Sequence, residues 1–565
     1  MCGGIAATYE RLVQENESAD SLLDAIIGSD EGSRMADNKL YYGDNLDILR
    51  RYIKDESVDL IYLDPPFKSE QDYNILFAEQ NGTRSAAQIK AFEDTWHWDQ
   101  ASARAYEETV ETSPEPVSRA LQAFRKFLGE NDMLAYLSMM APRLLELRRV
   151  LKETGSIYLH CDPAASHYLK MLMDAVFGPV SFRNEIVWKR TSGHSDARRY
   201  GRVHDILLYY GRGESPDWYH TYQPYDEAYV QQYYRYQDDD GRKWMSGDLS
   251  ASGLSGGGYE YEWKGVTRVW RCPKETMERL DNEGSIFYTR TGIPRLKRYL
   301  DEAKGLPVQD VWTDIEALRS WHQERLSYPT QKPEGILERI ITTSSKKGDI
   351  VLDPFCGCGT AIAVAQRLER RWIGIDITHL AISLIKHRLH SAFGAKAIYD
   401  VIGEPVDLSS AMVLAKEDPY QFQFWALGLV GARPTDPKKG ADKGIDGRLY
   451  FHDDEKNTKQ IIFSVKSGKV GVSHIRDLRG VVEREKAEIG VYISLNEPTK
   501  PMRKEAASAG FYTFGNHKYA KLQLLTIEEL LKGKRIDYPG GHGGATFKKA
   551  PKARNPNETE NLPLD

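Results

Sequence analysis

Two adjacent prolines, Pro65 and Pro66, come directly after the run Asp59-Leu60-Ile61-Tyr62-Leu63-Asp64. The residues before Asp64 are mostly apolar and read as a short buried strand. Proline has no N–H to give a central strand, so the chain must leave its sheet at Pro65. Asp64 is thereby placed at the strand end and Phe67 just beyond a stiff turn. A second abrupt strand end comes far later, where Asp349-Ile350-Val351-Leu352 runs into Asp353-Pro354-Phe355-Cys356-Gly357-Cys358-Gly359-Thr360.

The second site reads as a nucleoside-binding βαβ unit. Gly357 and Gly359 let the backbone turn tightly and approach a ligand without a Cβ in the way. A helix is expected over 361–368 and a strand over Arg371–Asp376, with Asp376 lying 17 positions after Gly359. That is near the spacing at which an acid meets ribose hydroxyls. A dinucleotide fingerprint would carry Gly or Ala where Ile362 stands, so a cofactor with a single nucleoside fits better.

Between the two sites, strand and helix patterns alternate, which indicates an α/β fold with helices on both faces of one sheet. Apolar positions at helical spacing run from Met133 to Leu151, and Gly155 is expected to end that helix before a strand over Ser156–His160. A helix over Tyr168–Phe177 and strands over Glu185–Trp188 and Asp205–Tyr209 follow. The character changes at 214–309, which is rich in Tyr, Trp, Gly and Asp and lacks any long periodic run. The organisation expected is an N-terminal extension (1–37), a catalytic part (38–213), an insertion (214–309), a cofactor part (310–405), a further domain (406–537) and a disordered tail (538–565).

No apolar run is long enough for a membrane span, and the N-terminus lacks a signal-peptide pattern. Five scattered cysteines suggest a reducing compartment, so a cytoplasmic protein is expected. A net charge of −6 does not announce a nucleic-acid partner. One stretch, 181–212, does: Arg183, Lys189, Arg190, Arg198, Arg199, Arg202 and Arg212 face only three acids, with Phe182, Trp188, Tyr200, Tyr209 and Tyr210 interleaved. Such a run can neutralise phosphate and stack on exposed bases, or be a solvated surface over core aromatics. Lys189, Arg190, Arg198, Arg199 and Arg202 are the candidate DNA contacts.

From about Asn38 to Asp400, these motifs in this order resemble the amino-methylating DNA methyltransferases of the permuted β class. The resemblance implies a Rossmann-like fold that takes S-adenosylmethionine and methylates double-stranded DNA, with 214–309 reading the DNA sequence; an irregular lid is the alternative for that segment. Asp64, Pro65, Pro66 and Phe67 would form the catalytic turn. Asp353, Phe355, Gly357, Gly359, Thr360 and Asp376 would hold the cofactor, joined by Gln331 and Lys332 of Thr330-Gln331-Lys332-Pro333 and by Asp44 of Gly43-Asp44-Asn45. Asp at the head of the turn favours adenine N6 as the target; cytosine N4 is the alternative. C5-cytosine chemistry needs a cysteine on a Pro-Cys turn, and no Pro-Cys dipeptide exists here. A homodimer is left open.

The C-terminal domain resembles Mrr-type restriction nucleases of the PD-(D/E)xK fold, in which an acid on one strand and an acid-x-lysine on the next hold Mg²⁺. Asp446 and Lys466 match that pattern. Ser464 stands where Glu or Gln is expected, and Gln423 on a helix over Gln421–Leu429 is the candidate substitute. A nuclease fused to its protecting methyltransferase and a degenerate DNA-gripping domain are both open, with Asp446 the candidate metal ligand.

Overall fold

The computed structural model describes residues 37–66, 98–193, 198, 200–251, 258–319, 322, 324, 326, 328, 330–435, 444–452 and 458–539. The expectations for residues 1–36, Phe67, Arg199 and the tail from 540 onward lie outside these.

The largest element is a nine-stranded sheet. In chain order its main strands are β1 (Lys39–Tyr42), β2 (Val58–Leu63), β3 (Leu151–Cys161), β4 (Phe182–Lys189), β5 (His204–Gly211), β6 (Ile350–Asp353), β7 (Arg371–Asp376) and β8 (Asp400–Ile402). They lie side by side in the order β4-β5-β3-β2-β6-β7-β1-β8, with the two-residue strand Val311–Trp312 beyond β4. Neighbours from β3 to β8 run parallel, and β5 is antiparallel to both β3 and β4. The fold is the α/β, Rossmann-like architecture expected. Strand β6 comes late in the chain yet sits beside β2, so the chain order reverses between them. In open α/β sheets that reversal is where ligands bind, outside the carboxyl ends of the strands.

The central strands are apolar because both of their faces are covered. All six residues of β2 are buried, as parallel strands between helical layers require. One layer includes α1 (Asn45–Tyr52), α2 (Asp132–Val150) and α3 (Ser166–Phe177), whose Ile48, Leu137, Leu144, Leu147, Leu169 and Leu172 share a core with Ile61, Leu63, Ile157 and Leu159. Helix α2 starts at Asn131, whose side chain accepts from Leu134 N. It ends at Val150, because Leu151 is already extended (φ −74°, ψ 135°). Gly155 therefore does not terminate that helix. It lies in the irregular part of β3, between Leu151 opposite Val58 and Ser156 opposite Leu60.

Residues Trp218–Val311 form a separate compact unit. It is not an irregular lid: strands Tyr236–Gln237, Lys243–Asp248, Ile286–Tyr288 and Pro294–Tyr299 make a four-stranded antiparallel sheet. A hairpin of Tyr259–Trp263 and Val266–Trp270 and a helix over Lys274–Asn282 complete it. Leu249, Trp263, Trp270, Met277 and Ile286 are its core.

Beyond Ile402, α7 (Pro419–Leu429) precedes a five-stranded sheet containing β9 (Gly447–His452), β10 (Thr458–Lys466), β11 (Ile489–Ser494) and β12 (Leu522–Thr526). β9 and β10 are antiparallel, and β10, β11 and β12 run parallel. Helix α7 packs against α6 (His379–Phe393), which follows β7 in the large sheet. Gln421 Oε1 accepts from His379 N at 3.1 Å. A Cβ on Gly428 would meet Ser383 Oγ at 2.4 Å, a mark of how closely the two helices approach there.

Candidate active site

At the carboxyl end of β2 the chain turns out of the sheet as expected: Asp64 is half-buried, Pro65 buried and Pro66 half-buried. The ammonium of Lys332 donates to Asp64 Oδ2, with the two side chains 17% and 24% exposed. Lys332 stands just before α4 (Glu334–Ser344), whose first residues follow the Pro333 cap.

At the end of the neighbouring β6, Asp353 is buried and its Oδ1 accepts from Phe355 N at 3.1 Å. Burial pushes this carboxyl well above its ordinary range. The charges of Asp64 and Asp376 add to that, while the Phe355 N–H and Lys332 work against it. The loop then passes through Gly357 (φ +50°) and Gly359 (φ +73°), both in the left-handed region that favours glycine. A Cβ on Gly359 would meet Ile385 Cγ1 at 2.7 Å, and one on Gly357 would touch the Tyr328 ring at 3.3 Å. Thr360 opens helix α5 (Thr360–Arg367).

Asp376, ending β7, organises this loop. Its Oδ2 accepts from Gly357 N at 2.9 Å, and its Oδ1 accepts from Thr378 N at 3.0 Å and Thr378 Oγ1 at 2.9 Å. These bonds fix the carboxylate against the start of the glycine loop. Burial pushes its pKa up to about 6 against those hydrogen bonds.

Asp44 caps α1, with Oδ1 accepting from Leu46 N at 2.8 Å, while Arg143 donates to Oδ2 at 2.8 Å. Arg143 also donates to Asn45 Oδ1 at 2.6 Å, and Asn45 Nδ2 donates to Pro354 O at 2.8 Å. The acidic turn is thus wired to the Asp353–Thr360 loop through Asn45. Gln331 is placed differently from the expectation. Both ends of its amide close a loop, accepting from Leu326 N at 2.7 Å and donating to Glu324 O at 2.6 Å.

Sequence reasoning missed Arg388. It is 2% exposed and donates to Glu334 Oε1 at 2.7 Å, Thr360 Oγ1 at 3.2 Å and Cys358 O at 3.3 Å. It ties α4, the glycine loop and α5 together from beneath. A charge three residues after Ile385, on the apolar stripe of α6, is the signal that could have found it.

The basic stretch divides. Lys189, Arg190, Arg198 and Arg202 are exposed, and Arg190 reaches Asp205 Oδ1 at 3.5 Å. Arg183 is turned inward onto the carbonyls of Gly213 and Glu214, both at 2.7 Å, and Arg212 donates to Glu56 at 2.6 Å. Trp188, Tyr209 and Tyr210 are core residues, which removes them as base-stacking candidates; Tyr200 is 98% exposed. They are buried because β5 is covered on both faces and β4 on the face that carries Ile186 and Trp188, so aromatic content there reports packing.

In the C-terminal domain Asp446 Oδ2 accepts from Val465 N at 2.6 Å and faces Lys466 Nζ at 3.4 Å. Ser464 is buried and Gln423 half-buried. Among the described residues no group of three or more His, Cys, Asp or Glu side chains could hold a metal ion. No helix among them is long and apolar enough to cross a membrane.

A Pro-Pro turn headed by Asp64 and a glycine loop thus stand at the ends of adjacent strands. The chain belongs to the N6/N4 DNA methylase family, whose model matches residues 58–387. Residues 420–532 match a second model, described as NACHT-associated inactive restriction endonuclease 1. Type II methyltransferase M.EcaI of Enterobacter cloacae is 26% identical over 410 residues, covering 70% of this chain and 79% of the relative. The Mod subunit of the type III restriction-modification enzyme StyLTI of Salmonella typhimurium is 27% identical over 416 residues, 69% of this chain and 60% of the relative. Among solved structures, a putative DNA modification methylase from Thermus thermophilus complexed with S-adenosyl-L-methionine covers 65% of this chain and 100% of its own, at 15% identity and TM-score 0.32. The cytosine-N4-specific PvuII DNA methyltransferase covers 62% and 86%, at 15% identity and TM-score 0.30.

Proposed function

We propose that this chain transfers a methyl group from S-adenosylmethionine to the N6 amine of an adenine flipped out of duplex DNA, as the modification enzyme of a restriction-modification system. The observation that carries the reading is Asp64 heading the Pro65-Pro66 turn beside the Asp353–Thr360 loop.

The fit to the cofactor rests on the loop itself. Gly357 and Gly359 take the left-handed backbone that lets the loop turn tightly at the strand end, and Asp376, bonded to Gly357 N, is assigned as the ribose acceptor. When bound, S-adenosylmethionine supplies a sulfonium methyl that is already electrophilic. The chain's task is then alignment and electrostatics. An aromatic amine is a poor nucleophile because its lone pair is delocalised into the ring. Asp64 and the carbonyl of Pro65 accept the two N–H bonds and favour a pyramidal nitrogen, which frees that pair. Phe67 is assigned to stack on the flipped base, whose amine cannot be reached inside the duplex. Lys189, Arg190, Arg198, Arg199 and Arg202 are assigned to phosphate, and residues 218–311 to the bases around the target.

The C-terminal domain is assigned a DNA-gripping rather than a cutting role. Ser464 brings no charge to the position where an acid would help Asp446 hold Mg²⁺, so the attacking water would be weakly activated.

Tritiated methyl transfer onto mixed-sequence duplex DNA, followed by hydrolysis and nucleoside chromatography, tests the assignment. Label in N6-methyladenine that disappears in Asp64→Ala, with S-adenosylhomocysteine binding retained, is expected. No label with folded wild-type protein refutes the activity, and label in N4-methylcytosine refutes the base.

A further inference from the structure

We propose that Lys332 is a positioning residue for the catalytic turn: its ammonium holds one oxygen of Asp64 so that the other is presented to the target amine. This rests on Asp64 being the amine acceptor, and holds for either base. The sequence places Lys332 in a segment that resembles a cofactor-pocket motif; the geometry gives it the reacting turn instead.

Lys332 donates to Oδ2 of Asp64, and among the described residues Oδ1 has no hydrogen-bond donor. A free carboxylate on a single-bonded stem rotates, whereas one pinned at one oxygen presents the other in a fixed direction. The pin is itself braced, since Pro333 begins α4 directly after Lys332.

The surroundings show why a cation is needed there. Tyr62, two residues before Asp64, points to one face of β2. On that face Tyr62 Oη lies 3.0 Å from His160 Nδ1, His160 Nε2 lies 3.3 Å from Asp205 Oδ2, and Asp205 Oδ1 faces Arg190 at 3.5 Å. Tyr62, His160 and Asp205 are all buried. Asp353 is buried on the adjacent strand end. The turn's carboxylate thus shares a poorly solvated corner with two further acids, and the charge of Lys332 acts on both. An unpaired carboxylate in such a corner swings toward water. That removes the acceptor that the amine requires.

Steady-state and single-turnover methylation by Lys332→Met, alongside calorimetry with S-adenosylhomocysteine, separates the roles. Misplacing a reacting group by about 1 Å costs on the order of 100-fold, so the transfer rate should fall about that much. The affinity for S-adenosylhomocysteine should stay within about threefold, and Lys332→Arg, which keeps the charge, should recover most of the rate. Should Lys332→Met not fold, Lys332→Gln keeps a neutral donor and makes the same separation of rate from affinity. A wild-type rate in these neutral variants overturns the proposal. So does a loss of affinity that matches the loss of rate, which returns Lys332 to the cofactor pocket. If the wild type transfers no methyl group to DNA, the functional reading has failed and not this assignment.

Discussion

Gly359→Ala isolates the physics of the cofactor loop with one methyl group. Gly359 has φ +73°, and its added Cβ would lie 2.7 Å from Ile385 Cγ1 on the first turns of α6. An L-residue in the left-handed region costs roughly 1–2 kcal/mol. Forcing a methyl into a packed contact adds roughly 1–3 kcal/mol. Ile385 is 1% exposed, so it has little room to give way. The sum, about 2–5 kcal/mol, must appear somewhere. If the loop relaxes to escape the strain, binding must restore it, and S-adenosylhomocysteine affinity falls roughly 30- to 4000-fold. If the loop keeps its shape, the strain appears as local opening and faster amide exchange at 356–363. Gly357→Ala is the internal control. Its Cβ would meet only the edge of the Tyr328 ring at 3.3 Å, so it should lose about 1–2 kcal/mol, roughly 5- to 30-fold. Calorimetric titration and hydrogen exchange on both variants read the two routes. Wild-type affinity with wild-type protection in Gly359→Ala would refute the reasoning, and so would a larger loss in Gly357→Ala.

Three further outcomes are expected. An ionised carboxylate is the better acceptor for a ribose hydroxyl, and the Asp376 carboxyl is pushed up to about 6, so on the proposed assignment affinity for S-adenosylhomocysteine should be full near pH 8 and drop about tenfold per unit well below pH 6; Asp376→Asn should bind weakly with a flat profile, and a flat wild-type profile counts against the assignment. Arg388→Met strips Glu334 of its 2.7 Å partner while Arg367 remains at 3.2 Å, so the loss should sit near the low end for a broken buried pair, about 3 kcal/mol, visible as a lowered melting temperature that Glu334→Gln partly restores. Supercoiled unmethylated plasmid incubated with the chain and Mg²⁺ should survive; rapid digestion that vanishes in Asp446→Ala would show a working nuclease site.

Much of the fold was legible because its punctuation is chemical. Pro65-Pro66 can only end a strand, and β7 runs over Arg371–Asp376 as its apolar residues and terminal acid indicate. The end of α2 was not legible, because apolar residues at helical spacing continue onto Leu151, which the sheet takes as a strand residue opposite Val58. The small sheet within 218–311 was hidden for a different reason. Its strands run from two to six residues, too short to display a period, and its core is held by Trp263 and Trp270 rather than by an aliphatic stripe.

The site was half legible, and the missing half has one cause. Asp64, Asp353 and Asp376 are strand-end acids whose positions follow from where the strands stop. The cations around them are different: Lys332 pairs with Asp64, Arg143 with Asp44 and Arg388 with Glu334, at separations of 268, 99 and 54 residues. Residue type alone assigns such cations to solvent, phosphate or cofactor, and only the packing of α2, α4 and α6 beside the sheet pairs each with its acid. The basic stretch shows the converse error: Arg183 and Arg212 look like free charge in sequence yet are engaged with nearby carbonyls and with Glu56. Those two arginines are thereby withdrawn from phosphate. DNA engagement by this chain should therefore depend on the exposed Lys189, Arg190, Arg198 and Arg202, and its salt dependence should be correspondingly shallow.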